Sequence, residues 1–173
     1  DFTVNGLFED PLHEEIIDFV GGKEDLANRK LRALGNPAES FAEDYLRLLR
    51  AIRFSTVLDF EIEAETWSAI QAEAKNIVKM APERIREELD KIWRHSNRLK
   101  GFDRLVDSGL MEQIFPEIIT LQGCEQPPQF HPEGDVFVHT RMMLELLPAD
   151  ACLPLVLSVL FHDIAKPVTQ TFD

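Results

Sequence analysis

The chain has 173 residues, 45% hydrophobic and 28% charged, a balance that argues against intrinsic disorder and allows one good core or two small ones. Its longest strongly apolar run, Leu153 to Phe161, is broken by Pro154 and Ser158 and falls well short of the roughly 20 residues that cross a bilayer, so no membrane segment is expected. A formal net charge of −13 disfavours indiscriminate binding to a phosphate backbone, which is drawn to clustered Lys and Arg.

Cys124 and Cys152 lie far apart without a CxxC partner, and no charged-then-apolar leader opens the sequence, which points to a reducing, cytoplasmic location. The chain begins on Asp1 in an alternating stretch and stops at Asp173 just after an apolar helix, the expectation for part of a longer protein.

Phe2 to Leu7 and Ile16 to Val20, rich in β-branched and aromatic residues and separated by a loop with Pro11, predict a small hairpin or the last strands of a sheet. Gly21-Gly22 breaks the chain, Lys23 to Lys30 reads as a short helix, and Asn36-Pro37 as a loop. Ser40 followed by Glu43 fits a capping box, so a helix is expected from Phe41 to Phe54 with Tyr45, Leu48, Leu49 and Ile52 as its apolar stripe. After a linker at Asp59 to Ile62, Glu63 to Val78 predicts a helix buried through Trp67, Ile70 and Ile77. Pro82 at a first helical position opens the next, Glu83 to His95, with Ile85, Leu89, Ile92 and Trp93 inward. Gly101 to Asp107 and Leu110 to Phe115 read as shorter helices, the second ended by Pro116. The proline-rich stretch Gln122 to Glu133 marks a boundary, beyond which Val136 to Leu147 and Leu153 to Ala165 are helical. The fold class is therefore mainly all-α, with a short β remnant at the N-terminus.

Chemistry concentrates first on the helix at 41–54. Asp44, Arg47, Arg50 and Arg53 recur every three residues, a spacing that makes them neighbours along one helix face. An ionised Asp only accepts hydrogen bonds and Arg only donates, so Asp44 beside Arg47 is complementary to the pairing edges of cytosine and adenine, each an amino donor beside a ring-nitrogen acceptor. Guanine and uracil would be mismatched there. Arg50 and Arg53 would suit triphosphate oxygens. The plainer reading is a set of exposed ion pairs of Glu43 and Asp44 with Arg47 and Arg50.

Other residues extend this pattern. EDYLRLLRAIRF resembles the EDxxRxxRxxRF motif of the class II tRNA nucleotidyltransferase (CCA-adding enzyme) and bacterial poly(A) polymerase family. Asp1 to Asn5 resembles the end of its RRDxxxN motif, Asp18, Gly21, Gly22, Asp25 and Leu26 its DxxGGxxDL hinge, and Glu83-Arg84-Ile85 its ERI motif. The resemblance implies that residues 1–22 end a nucleotidyltransferase head, 23–123 form a helical neck and body, and 124–173 begin an HD-like helical domain. It implies ATP and CTP as substrates and the tRNA 3′ end and acceptor stem as partners. Asp44 and Arg47 would select the base, Arg50, Arg53 and Asn5 would hold the nucleotide, and Asp18, Gly21, Gly22 and Asp25 would form a hinge. In the family the catalytic head carries a Gly-Ser motif and paired Asp residues that hold Mg2+. None of these occurs in this sequence, so the chain is expected to be inactive alone. Ala81 stands where the family often has Ser before the ERI helix, a weaker cap. Activities that add CCA, CC, A or poly(A) share these motifs.

His139 with His162-Asp163 resembles the ligand set of HD phosphohydrolases, which implies a divalent metal there. A hydrogen-bonded cluster without metal is the alternative, because imidazole and carboxylate at the end of an apolar helix need partners. His131 is ambiguous. Finally, Arg84, Arg86, Lys91, Arg94, Arg98, Lys100 and Arg104 form a basic strip, read either as a solvated helix face or, from the resemblance, as a contact for the acceptor-stem backbone. A metal phosphohydrolase and a non-catalytic tRNA-binding module remain alternative readings.

Overall fold

A computed structural model describes residues 1–127, 129 and 132–170, so His131 lies outside the described residues. Among the described residues the strands all lie within the first 62 positions. β1 (Leu7–Asp10) and β2 (Glu15–Asp18) pair antiparallel from Leu7 opposite Asp18 to Asp10 opposite Glu15. The hairpin is as expected, but its first strand starts later. Phe2 is drawn wholly into the core, bridges to Ala33 and meets the Phe54 ring edge-on at 5.7 Å. Thr3–Asn5 then turn as a short 3-10 helix.

α1 (Gly22–Ala27) begins where the Asp18 carboxylate accepts from the amides of Val20, Gly22 and Lys23 at 2.9–3.0 Å. Two different needs explain the paired glycines. Gly21 has a left-handed backbone, φ 75°, whereas a Cβ on Gly22 would stand 2.3 Å from the Thr3 carbonyl oxygen. β3 (Lys30–Leu31) runs parallel to β4 (Glu61–Ile62), within the stretch expected to be a linker.

The helix expected over 41–54 is two helices. α2 (Pro37–Glu43) starts at Asn36, whose side chain accepts from Ala38 and Glu39, with Pro37 in the first turn, so Ser40 is an interior residue and not an N-cap. Asp44 is extended (φ −152°, ψ 102°) and ends α2. α3 (Leu46–Val57) then buries Leu46, Leu48, Leu49, Ala51 and Ile52.

α4 (Ala64–Glu73) passes into a 3-10 segment, Ala74–Lys79, and α5 (Pro82–Trp93) packs along α3 through Leu89, Ile92 and Trp93. α6 (Arg98–Asp107) and α7 (Leu110–Ile114) follow. Pro116 does not end the helical path but starts the short α8 (Pro116–Ile119), since proline is tolerated in a first turn. α9 (Val136–Leu146) and α10 (Leu153–Phe161) pack against each other, and the run expected to reach Ala165 breaks after Phe161 before α11 (Lys166–Thr169). One apolar cluster runs from Phe2 and α3 through α5 and α6 to Leu144, Val156, Val159 and Leu160. Among the described residues no helix is long and apolar enough to cross a membrane.

Candidate nucleotide site and metal cluster

Three arginines line α3, and Asp44 stands at its head rather than on its face. The Asp44 Oδ1 accepts from the Leu46 amide at 3.0 Å and its Oδ2 from Arg84 Nη2 at 3.0 Å. The first contact caps α3, and the second ties Asp44 to α5. Burial opposes the charge on Asp44, but the Leu46 amide and the Arg84 and Arg47 guanidinium groups outweigh it and hold the carboxyl below its ordinary range. A continuous four-residue ridge on one helix does not form, because the backbone breaks at Asp44.

Arg47 is held by three groups around α2. It donates to the Ser40 carbonyl (2.7 Å), to Ser40 Oγ (2.9 Å) and to Glu43 (2.7 Å), and its Nε lies 3.2 Å from Asp1. Of the simple ion pairs weighed from sequence, Glu43 with Arg47 forms; Asp44 instead pairs with Arg84. Arg50 donates from Nε to Asp1 at 2.6 Å, with a second contact from its Nη2 to the same carboxylate. Asp1 therefore bridges Arg47 and Arg50. Asp1, Asn36, Ser40, Glu43 and Arg47 line a cavity of about 340 Å³ with one wall at the α2–α3 break. Arg53 points the other way: its Nε is 2.6 Å from Glu88 on α5, whose side chain is only 4% exposed, and its guanidinium lies over the Phe54 ring at 4.0 Å. Asn5 is exposed at the end of the first turn.

The residues expected to form a hinge are pinned. Asp25 is buried, with Oδ2 accepting from Thr3 Oγ1 (2.7 Å) and Arg32 Nε (3.1 Å) and Oδ1 from Arg32 Nη2 (3.2 Å). Asp18, half-buried, is held below the ordinary aspartate range by the amides at the start of α1, foremost that of Lys23.

The basic strip is not a continuous cationic face. Arg98 is 2% exposed and donates to the carbonyls of Trp93, Pro148 and Ala149, fastening α6 to the loop before α10. Lys100 and Arg104 pair with Glu61, Lys100 also with Asp59, and Lys91 with Glu88. Arg86 and Arg94 are exposed. A strip read from sequence counts charges without knowing which turn inward.

His139, His162 and Asp163 converge, each offering a ligand atom within 4.8 Å of the others. Their hydrogen bonds suit metal binding. His139 Nδ1 is 2.6 Å from Glu133 and His162 Nδ1 is 2.8 Å from the Val159 carbonyl. Both partners are acceptors, so each Nδ1 donates and each Nε2 is the ring atom left for a metal, the arrangement that carboxylates and carbonyls impose on metal-binding imidazoles. Lys166 Nζ stands 2.7 Å from Asp163 and 2.7 Å from Gln126 Oε1.

Asp1, Arg84, Glu88, Glu133 and Lys166 are the contributors whose roles the sequence did not disclose. For Arg84 a signal existed in the ERI motif and for Asp1 in the resemblance to the RRDxxxN motif; for the others only the fold supplies the proximity.

Residues 1–32 match the poly A polymerase head domain, and residues 59–121 match the family described as "Probable RNA and SrmB-binding site of polymerase A". The chain is 35% identical over 173 residues to the multifunctional CCA protein of Janthinobacterium sp. (strain Marseille), covering 98% of this chain and 41% of that protein. It thus spans about two fifths of the length of the curated relatives it matches. In structure it is similar to the Bacillus stearothermophilus CCA-adding enzyme in complex with CTP, with a TM-score of 0.65, 28% identity, and 73% of this chain and 33% of that one covered. It is also similar to the Thermotoga maritima CCA-adding enzyme complexed with tRNA, with a TM-score of 0.61, 25% identity, and 99% and 43% covered. On these matches, the chain belongs to the class II tRNA nucleotidyltransferase and poly(A) polymerase family.

Proposed function

We propose that this chain supplies base selection and tRNA binding to a nucleotidyltransferase that adds C and A to the tRNA 3′ end. One observation carries the reading: Asp44 is kept ionised at the head of α3, its two oxygens set by the Leu46 amide and Arg84, with Arg47 in the next turn. A fixed acceptor beside a fixed donor favours the pairing edges of cytosine and adenine over those of uracil and guanine. Arg50 would approach the phosphates once Asp1 yields or shares it, and the CTP and tRNA complexes of the similar structures support those partners. The buried pair with Glu88 favours Arg53 as a support for this ladder more than as a phosphate ligand. Carboxylates that hold Mg2+ for in-line transfer are assigned to the part of the relatives outside the matched two fifths.

The test extends the chain to the full length of its relatives and compares CTP with UTP incorporation. Asp44→Ala should lose discrimination by tenfold or more (about 1.4 kcal/mol per tenfold); an Asp44→Ala enzyme that still rejects UTP as the unmodified one does would remove the assignment.

A second reading concerns the C-terminal cluster. Two imidazoles and a carboxylate, each with a ligand atom within 4.8 Å of the others, favour a divalent metal, as in a phosphohydrolase. When bound, the metal would supply Lewis acidity and an activated water. His139, His162 and Asp163 would hold it, while Glu133 and the Val159 carbonyl orient the rings. Loss of Mn2+ binding in His162→Ala, measured by calorimetry, is the expected result.

A further inference from the structure

The surroundings of Asp163 carry a consequence for metal loading. His162 donates from Nδ1 to the Val159 carbonyl, which can only accept, and its Nε2 lies 3.0 Å from Asp163 Oδ2. Lys166 meets the same carboxylate oxygen, its Nζ 2.7 Å from Oδ2. The ammonium is also shared with Gln126 Oε1 at 2.7 Å, a side chain only 7% exposed in the proline-containing segment before α9.

We propose that Lys166 is a built-in cation that competes with a divalent metal for Asp163, and that Gln126 keeps the ammonium hydrogen-bonded when the metal displaces it. This rests on the metal reading of the His139, His162 and Asp163 cluster. A metal bound to Asp163 Oδ2 would face the lysine charge at close range, so the ammonium must withdraw as the metal enters. Gln126 makes that withdrawal inexpensive, because one hydrogen-bond partner is retained. Metal occupancy is thereby coupled to the segment that joins α8 to α9, through Gln126.

The test is calorimetric titration of the chain with Mn2+ at fixed pH. Lys166→Met should bind Mn2+ about two- to fivefold more tightly than the unmodified chain, the worth of a partly exposed ion pair, while Lys166→Arg should bind as the unmodified chain does. Equal or weaker binding by Lys166→Met overturns the proposal. A measurement that needs no variant checks the same point: saturating Mn2+ should raise the rate at which an acylating reagent modifies Lys166, read by mass spectrometry, and leave Lys23 unchanged. An unchanged Lys166 rate also overturns it. If neither the unmodified chain nor Lys166→Met binds Mn2+, or if binding survives His162→Ala, the metal reading itself fails and this inference falls with it.

Discussion

Arg84 and Asp44 are separated by 40 positions in the chain and joined by a hydrogen bond of 3.0 Å, so the N-terminal residue of the α2–α3 break is set by a helix that begins well downstream. The contact gives α5 a hand in the geometry of the base-selecting position. Arg84→Ala should raise the Asp44 carboxyl, because burial is then opposed only by the Leu46 amide and Arg47. Both partners are partly exposed, so the stability loss should stay below about 1 kcal/mol. A carbon-detected NMR titration of Asp44 reads the first effect, and an unmoved midpoint would mean that Arg84 does not act on it.

A larger penalty is expected one turn further along α5. Glu88 is almost fully buried against Arg53, and truncating it leaves a guanidinium with only the Phe54 ring for company. Removing one partner of such a pair costs about 3–5 kcal/mol. Urea unfolding of Glu88→Ala checks this, and a loss under about 1 kcal/mol would place the pair in the class of surface bridges. The double variant Arg53→Met with Glu88→Leu should recover much of the loss, since neither charge is then stranded.

The helical order of the chain was legible because amphipathic stripes such as Leu48, Leu49 and Ile52 repeat at the helical period and are buried as that period requires. The break at Asp44 was not, although Asn36 followed by Pro37 is a stronger start signal than Ser40 with Glu43: an N-cap side chain with proline in the first turn. Once α2 starts there, Asp44 becomes free to leave the helix and cap the next one. The β3–β4 pair is two residues a side and rests on a partner 31 positions away in register, Lys30 opposite Glu61, beyond any local pattern. Arg98 illustrates the limit most sharply. Nothing in its neighbours says that a guanidinium will be buried, because its three carbonyl acceptors include two from the loop at Pro148 and Ala149. For the cluster at His139, His162 and Asp163, residue identity was enough to suggest the ligands, whereas Lys166 and Gln126 entered only through the fold.

Gly21 and Gly22 should respond differently to the same substitution. Gly22→Ala places a Cβ 2.3 Å from the Thr3 carbonyl oxygen, a contact with backbone that only a shift of the turn or of α1 can relieve, at a cost of about 1–3 kcal/mol. Gly21→Ala meets nothing within 4 Å and bears only its left-handed φ, about 1–2 kcal/mol. Thermal melts of both variants test the ranking. If Gly21→Ala is clearly the worse, the close approach of α1 to Thr3 is not what fixes the glycine pair.

Acid should release the Asp25 clasp. Burial opposes its charge, yet the hydrogen bonds from Arg32 and Thr3 prevail and the carboxyl is held below its ordinary value. A folded-state pKa below the unfolded one means that the stabilisation is complete above the unfolded value of about 3.9 and disappears as pH falls through the folded value. Asp25→Asn keeps the size of the side chain but loses the charge that binds Arg32 through two nitrogens. Arg32 is about half exposed, which limits its share, so a difference of about 1–2 kcal/mol is expected at neutral pH. Urea midpoints of the two proteins, followed from pH 7 downward, should run parallel until about pH 4 and then converge. Curves that stay parallel to the lowest pH at which both proteins fold would show that the ionised state of Asp25 contributes nothing to holding α1 against the first turn.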